Sequence, residues 1–454
     1  MERHAEPDNA RGMARGRRLE AALADAFPDA AGLARSEVEL FRAPGRINLM
    51  GAHTDYNDGL VLDSAISLET WIAVRWRSDG LVRVASLPTR ERAEFRIDEI
   101  EGLRVGRAVA TGEAPRAGLA LRPRWSDHVA GMAWSLHEAA LPVRGFDGVF
   151  DSTIPPGAGL GWTAALELVS GLALLARERL VSAPMLAALA QRAELDFLGV
   201  NGGLVDSFAA AAGRPGRAML LDCRSLESRF VTMPAGVTVV VCDTGEPSDS
   251  TAVGELGAEY RSAPAPAKPH SAPAATAAAL GGVAASHEAV FLERRAECGR
   301  AVALVAQEIP SVASLRDLDM DTLRKNRQFL SETVARRAEH VVKENDRVVA
   351  AAAALGSGDL DELGRLFAAS HESLRNLYEV SSPALDAMVE IARSVPGVVA
   401  ARMTGPGFGG CTVNLVHDAA VPAFERAVAA EYPRRTGLTP HVYPVSIVAG
   451  AGPV

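Results

Sequence analysis

The feature that most constrains this chain is the stretch PPGAGLGWTAALE, residues 155–167. It sets Gly157, Gly159 and Gly161 within five residues and runs straight into an apolar segment whose spacing predicts a helix over 163–179. Glycines let a backbone approach a ligand closely, and the free N–H groups at a helix start attract an anion. Thr163 would put a hydroxyl on a phosphate or its metal. The loop is not a Walker loop, because no GK[ST] follows, and the GxGxxG spacing of a dinucleotide fingerprint is absent. A tight turn before a buried helix would account for the same residues.

Two further segments carry similar chemistry. TGPGFGGC, residues 404–411, places Gly405, Gly407, Gly409 and Gly410 between two apolar strands, either as a ligand loop or as a flexible hairpin. GRINLMGAHTDYNDG, residues 45–59, packs Arg46, Asn48, His53, Thr54, Asp55, Tyr56, Asn57 and Asp58 among small or apolar residues. That is too polar for an ordinary strand-to-loop junction. In AELDFLGVNGGLVDSF, Glu194 closes a predicted helix and Asp206 follows after a Gly-Gly turn. Phosphoryl transfer needs a metal ligand and a group that positions the attacking hydroxyl, and two carboxylates would serve. Alternatively, Glu194 is solvated and Asp206 caps the helix VDSFAAAA.

The chain has 454 residues, which predicts about two domains. A formal net charge of -9 argues against a nucleic-acid binder. Lysine occurs only at Lys268, Lys325 and Lys343, so any cation on a phosphate falls almost entirely to arginine. Cys223, Cys242, Cys298 and Cys411 form no CxxC pair, which suggests neither zinc nor a disulfide framework and fits a reducing cytoplasm. The first residues have no apolar core for a secretory signal, and no run approaches the roughly 20 apolar residues of a membrane span. Residues 1–16 read as disordered, helices are predicted from Leu19 and over 125–139 and 183–197, and 246–285 turn rich in Ala, Pro, Ser and Gly. Helices and strands come in mixed rather than alternating order, the α+β class.

Together these segments resemble the galactokinase branch of the GHMP small-molecule kinases. The family's first motif looks like GRxNLIGEHTDYNxGxVLP, matched by GRINLMGAHTDYNDGLVLD; its second, PxGAGLSSSAALE, by PPGAGLGWTAALE; its third, ARMTGAGFGGC, by ARMTGPGFGGC. LLDCRSLE and ASHESLRNLYEVSSPALD are also typical, and the pieces stand in the family's order from about Leu40 to about Gly450. The resemblance implies a two-lobed GHMP kinase fold. A ribosomal-protein-S5-like lobe would span 17–225 and a ferredoxin-like lobe 226–454, with the active site in the cleft between them. It implies ATP and Mg2+, a sugar substrate, no nucleic acid or membrane partner, and a monomer or weak dimer. Asp206 would take or orient the proton of the sugar C1 hydroxyl, and Arg46 would neutralise the transferring phosphoryl group. His53, Asp55 and Asp206 would bind the sugar, with Phe291 where the family has a tyrosine and Tyr260 as a competing candidate. The loop Gly157, Ala158, Gly159, Leu160, Gly161, Trp162 and Thr163 would hold ATP. Trp125, in WSDHVAG, resembles the family's W-x-x-Y-V-x-G segment near the adenine, with core packing as its other reading. Thr163 and Glu194 would hold magnesium.

The chain also departs from the family pattern. Ala52 replaces the glutamate placed at the sugar 6-hydroxyl, a hydrogen bond worth roughly 0.5–1.5 kcal/mol. Trp162 replaces a small serine, Asp63 replaces a proline, and Pro406 stiffens the third loop. The leading expectation is an ATP-dependent anomeric kinase for galactose or a close relative. The alternatives are a kinase for a C6-altered sugar such as galacturonate or arabinose, motivated by Ala52, and a sugar and ATP sensor without turnover, motivated by Trp162. A mevalonate- or homoserine-type kinase is the remaining reading.

Overall fold

The run LVLDSAISLETWIAVRW becomes one 17-residue strand, and the first sheet branches around it. The computed structural model describes residues 5–28, 38–103, 124–176, 181–200, 202–246 and 277–454. The first sheet holds β1 (Glu39–Met50), β2 (Leu60–Trp76), β3 (Leu81–Ser86), β4 (Arg92–Arg96), β5 (Phe146–Ser152), β6 (Arg217–Asp222) and β7 (Ser228–Thr232). The second holds β8 (Val237–Asp243), β9 (Val398–Met403), β10 (Cys411–His417) and β11 (His441–Val445), and a short β12 (Gly452–Pro453) returns to the first.

The order of the first sheet is β12-β1-β2-β5-β3-β4, with β6 on β2 and β7 on β6. The length of β2 explains this branching: Leu60–Asp63 pairs with β6, while Thr70–Trp76 pairs with β5. All its pairs are antiparallel except β3 with β5. The second sheet, β11-β8-β10-β9, is antiparallel throughout.

The helices are α1 (Ala5–Ala26), α2 (Trp125–Glu138), α3 (Trp162–Leu174), α4 (Ala183–Arg192), α5 (Leu204–Ala212), α6 (Ala277–Glu308), α7 (Met320–Asn326), α8 (Glu332–Ser357), α9 (Leu360–Ser373), α10 (Pro383–Ser394) and α11 (Val421–Thr436). The strand VTVVVCD has no polar alternation because both faces are covered. Val239 and Val241 enter the main core with Leu363 and Phe367, while Val240 and Cys242 pack with Met388 and Phe424. The helix α8 joins the lobes. Its C-terminal half puts Val348, Ala351 and Leu355 into the core of the first sheet, and its N-terminal half puts Val334, Ala338 and Val341 into a second cluster. Ser331 caps its start and Gly358, at φ 73°, ends it.

Three expectations shift. Residues 5–16, read as disordered, form the first half of α1. Hydropathy shows only the stripe of Leu19, Leu23 and Phe27, which packs on Trp71 and Val149. Arg15 Nε and Arg18 Nη2 donate to the buried Asp151 carboxylate at 2.8 and 2.7 Å, ties that no apolar pattern reveals. The first sheet continues through β7 to Thr232, so the change of sheet falls after the expected boundary at 225. Of the low-complexity segment, 247–276 lie outside the described residues and 277–285 begin α6. No described helix is long and apolar enough to cross a membrane.

Candidate active site

The two glycine loops meet over β1. The register of β1 on β2 shifts at Pro44/Gly45 and at Asn48/Met50, which brackets Arg46. Arg46 N–H donates to Leu160 C=O at 2.9 Å, docking the 155–163 loop on the strand. A Cβ on Gly45 would stand 2.7 Å from that carbonyl, so only glycine permits the contact. Ala158 and Leu160 are buried in the core and anchor the loop. From the second lobe, Gly405 (φ 79°) backs onto Gly159, where a Cβ would lie 3.3 Å from the Gly159 oxygen. Gly407, Gly409 and Gly410 continue this loop at φ 94°, 146° and 79°. Gly161 (φ 77°) starts α3, and Trp162 packs partly buried against the main core.

Arg46 ties the pieces together. Its Nε donates to Asp206 Oδ1 at 2.7 Å, Nη2 donates to Asp206 Oδ2, and Nη1 donates to Gly159 C=O. Burial disfavours the guanidinium charge, but the carboxylates of Asp206, Asp63 and Asp55 more than offset it and raise its pKa. Asp206 lies in the first turn of α5, yet its carboxylate is spent on Arg46 and the N-cap position belongs to Gly203. Burial, with help from Asp206, lifts Asp55 to about 6. Burial lifts Asp63 to about 7 against the pull of Arg46, and Asn48 Nδ2 donates to Asp63 Oδ1 at 2.6 Å. Arg402, from ARMTG, braces this corner by donating to Leu49 C=O at 2.8 Å and Asn48 Oδ1 at 3.2 Å.

Asp55 opens a 3-10 turn, and its Oδ2 faces Gly203 at the start of α5. His53 sits beside it at φ 65°, but both its ring nitrogens are engaged within the protein. Nε2 lies 3.1 Å from Pro406 C=O, which can only accept, so Nε2 carries the proton and Nδ1 accepts from Tyr56 O–H at 3.0 Å. Tyr378 O–H then donates to Tyr56 at 2.6 Å, and Cys298 S–H, 3.2 Å away, donates to Tyr378. Burial, reinforced by His340, holds His53 neutral with a pKa of about 3. The ring of His53 thus braces the 45–59 loop against the 404–411 loop.

Phe291 lies 5.4 Å from Tyr56 and 6.0 Å from His53, ring centre to ring centre. Tyr260 lies outside the described residues. Ala52 is buried in the cluster of Cys298, Val341, Tyr378 and Val380, and its carbonyl accepts from His340 Nε2 at 3.1 Å. Trp125 is not displayed for stacking: it is buried edge-on to Phe150 and donates from Nε1 to Glu91 at 2.8 Å, the packing alternative.

Glu194 is buried, not solvated, in a π-turn (Ala193–Leu198). Burial pushes its carboxyl well up, and the nearby Glu167 adds to that, while a hydrogen bond with Thr163 opposes it. A hydroxyl and a carboxylate at the start of α3 are the hard oxygen donors Mg2+ takes, so the residues fit that ion. Sequence reasoning missed Tyr378, His128 and Glu167, and it named Tyr56 in the polar loop without a partner. Of the site's carboxylates it flagged Asp63 only as a departure, because burial and partners have no linear signal.

The chain matches three family models. "Galactokinase galactose-binding signature" covers residues 26–76, "GHMP kinases N terminal domain" 127–214 and "GHMP kinases C terminal" 351–434. It is 37% identical over 412 residues to a galactokinase of Chloroflexus aggregans, covering 90% of this chain and 92% of that one. It is 38% identical over 413 residues to the galactokinase of Chloroflexus aurantiacus, covering 90% and 92%. The crystal structure of Lactococcus lactis galactokinase complexed with galactose superposes with a TM-score of 0.77 at 32% identity, covering 96% of this chain and 99% of that one. Mevalonate kinase of Methanococcus jannaschii shares the fold at a TM-score of 0.58 and 14% identity, covering 91% of this chain and 100% of that one.

Proposed function

This chain belongs to the galactokinase family, and on that premise we propose that it transfers the γ-phosphoryl group of ATP to the C1 hydroxyl of galactose. The observation that carries the reading is the Arg46–Asp206 fork, set between the two glycine loops with Asp55 beside it. Asp55 engages adjacent ring hydroxyls and turns C1 toward Asp206. Asp206 orients the hydroxyl and receives its proton as the C1 oxygen attacks the γ-phosphorus in line. Arg46, charged and held by both Asp206 oxygens, neutralises the equatorial phosphoryl oxygens as the transition state forms. The loop Gly157–Thr163 presents its N–H groups to the phosphates. Thr163 and Glu194 would hold Mg2+, which supplies further charge neutralisation between the phosphates.

Ala52 removes a side-chain contact at the sugar but leaves the phosphoryl machinery intact. The readings as a kinase for a C6-altered sugar and as a sensor without turnover are not favoured beside galactokinase relatives of this identity. Four free cysteines suit a reducing cytoplasm, where we place the enzyme as a monomer or weak dimer. The test is ATP consumption with galactose, galacturonate and arabinose, with phosphorus NMR locating the new ester. Galactose 1-phosphate is the expected product. Its absence, or turnover that survives Asp206→Asn unchanged, would overturn the reading.

A further inference from the structure

Behind the phosphate loop, three side chains from separate elements converge in the core. His128 comes from α2, Glu167 from α3 one turn beyond Thr163, and Glu194 from the π-turn. They are 3%, 0% and 7% exposed. One donor atom from each lies within 4.8 Å of those of the other two. His128 Nδ1 is 2.8 Å from Glu167 Oε1, while the second Glu167 oxygen, fully buried, has no partner. Among the described residues, no arginine or lysine is in ion-pair contact with either carboxylate.

Two carboxylates shut away from water, with one imidazole and the Thr163 hydroxyl beside them, are poorly compensated. An ordinary structural ion pair would not leave one oxygen orphaned in a fully buried side chain. A divalent cation answers each point: it balances both carboxylates, takes the orphan oxygen as a ligand, and accepts the imidazole nitrogen in place of the His128–Glu167 hydrogen bond. Metal bonds of about 2.0–2.2 Å put neighbouring donors roughly 3–4 Å apart, so small side-chain rotations close the cluster. Oxygen-only donor sets suit Mg2+, whereas an imidazole favours later divalent metals.

We propose that His128, Glu167 and Glu194 form a buried divalent-cation site, selective for Mn2+, Co2+ or Zn2+ over Mg2+, directly behind the phosphate loop. It shares Glu194 with the magnesium position proposed above, holding that carboxylate ionised and aimed at Thr163. The site loads without nucleotide or sugar, so its failure and that of the kinase reading are separate results.

The experiment uses the untagged full chain, stripped with chelator and dialysed against Co2+, Mn2+ or Zn2+ with Mg2+ in large excess and no ATP. The expected result is one bound ion per chain by elemental analysis, with nitrogen hyperfine coupling in pulsed EPR of the Mn2+ form. Glu167→Gln, nearly isosteric and checked for folding by circular dichroism, should weaken binding by about tenfold or more. Spectroscopy on the unmutated chain needs no variant to fold. No stoichiometric ion, an ion without a nitrogen ligand, unchanged affinity in Glu167→Gln, or binding only when ATP is present would each overturn the proposal.

Discussion

Replacing Asp63 with asparagine should make the protein less sensitive to rising pH. Asp63 is 1% exposed, and its carboxyl is raised from an ordinary 3.8 to about 7, chiefly by burial. The folded state therefore binds a proton more tightly than the unfolded chain. That contribution is fully present below pH 3.8 and is lost as pH rises through about 7. At about 1.36 kcal/mol per unit, the whole span is worth roughly 4 kcal/mol, of which about 2–3 kcal/mol falls between pH 5 and pH 8. Asp55, raised to about 6 by burial, adds a loss of the same sign. In Asp63→Asn the acceptor for Asn48 remains and the ionisable group is gone, so only the Asp55 share of the slope should persist. Urea unfolding of both proteins at pH 5, 6, 7 and 8 measures this. The wild type should lose stability relative to the variant by about 2 kcal/mol across the series. Parallel curves would refute the reasoning, because they would mean that Asp63 titrates alike in both states.

Other perturbations test separate parts of the site. Asp206→Asn should lower kcat by about 10²–10⁴-fold with a smaller change in galactose KM, read in a coupled ADP assay. Gly45→Ala drives a Cβ to within 2.7 Å of Leu160 C=O, so ATP KM should rise more than galactose KM in initial-rate measurements. Tyr56→Phe breaks the relay between Tyr378 and His53, leaving His53 Nδ1 without its donor; a loss of about 1–3 kcal/mol is expected in urea unfolding. A double-mutant cycle with Tyr378→Phe should be strongly non-additive, since both changes break the same chain of bonds.

Much of this site was legible in the linear chain because its chemistry is carried by contiguous motifs. The fold brings the 155–163 glycine loop, Arg46, Asp55 and Asp206 near one another, and Arg46 meets Asp206 directly. The α+β class was legible too, since strand and helix periods depend on neighbours along the chain. Other residues have surroundings that only the fold supplies. His53 looked like a sugar ligand, but Pro406 and Tyr56 take its two nitrogens. Trp125 had two readings, and Glu91 with Phe150 decides for packing. The start of α1 read as disordered because the Asp151 that anchors Arg15 lies far along the chain.

The sequence by itself determined the class of machine through its motifs: two glycine loops, the arginine-bearing GRINLMGAHTDYNDG segment, and the carboxylates Glu194 and Asp206 around a Gly-Gly turn. Tertiary structure alone decided how that machinery is charged and braced. Only folding seats Asp63 beside Arg46, runs one line of hydrogen bonds from Cys298 to Pro406, and closes His128, Glu167 and Glu194 into a common buried cluster. The physical reason is that propensity and motif spacing act between neighbours in sequence. Burial, proton affinity and hydrogen-bond direction depend on groups that only the folded chain brings into contact.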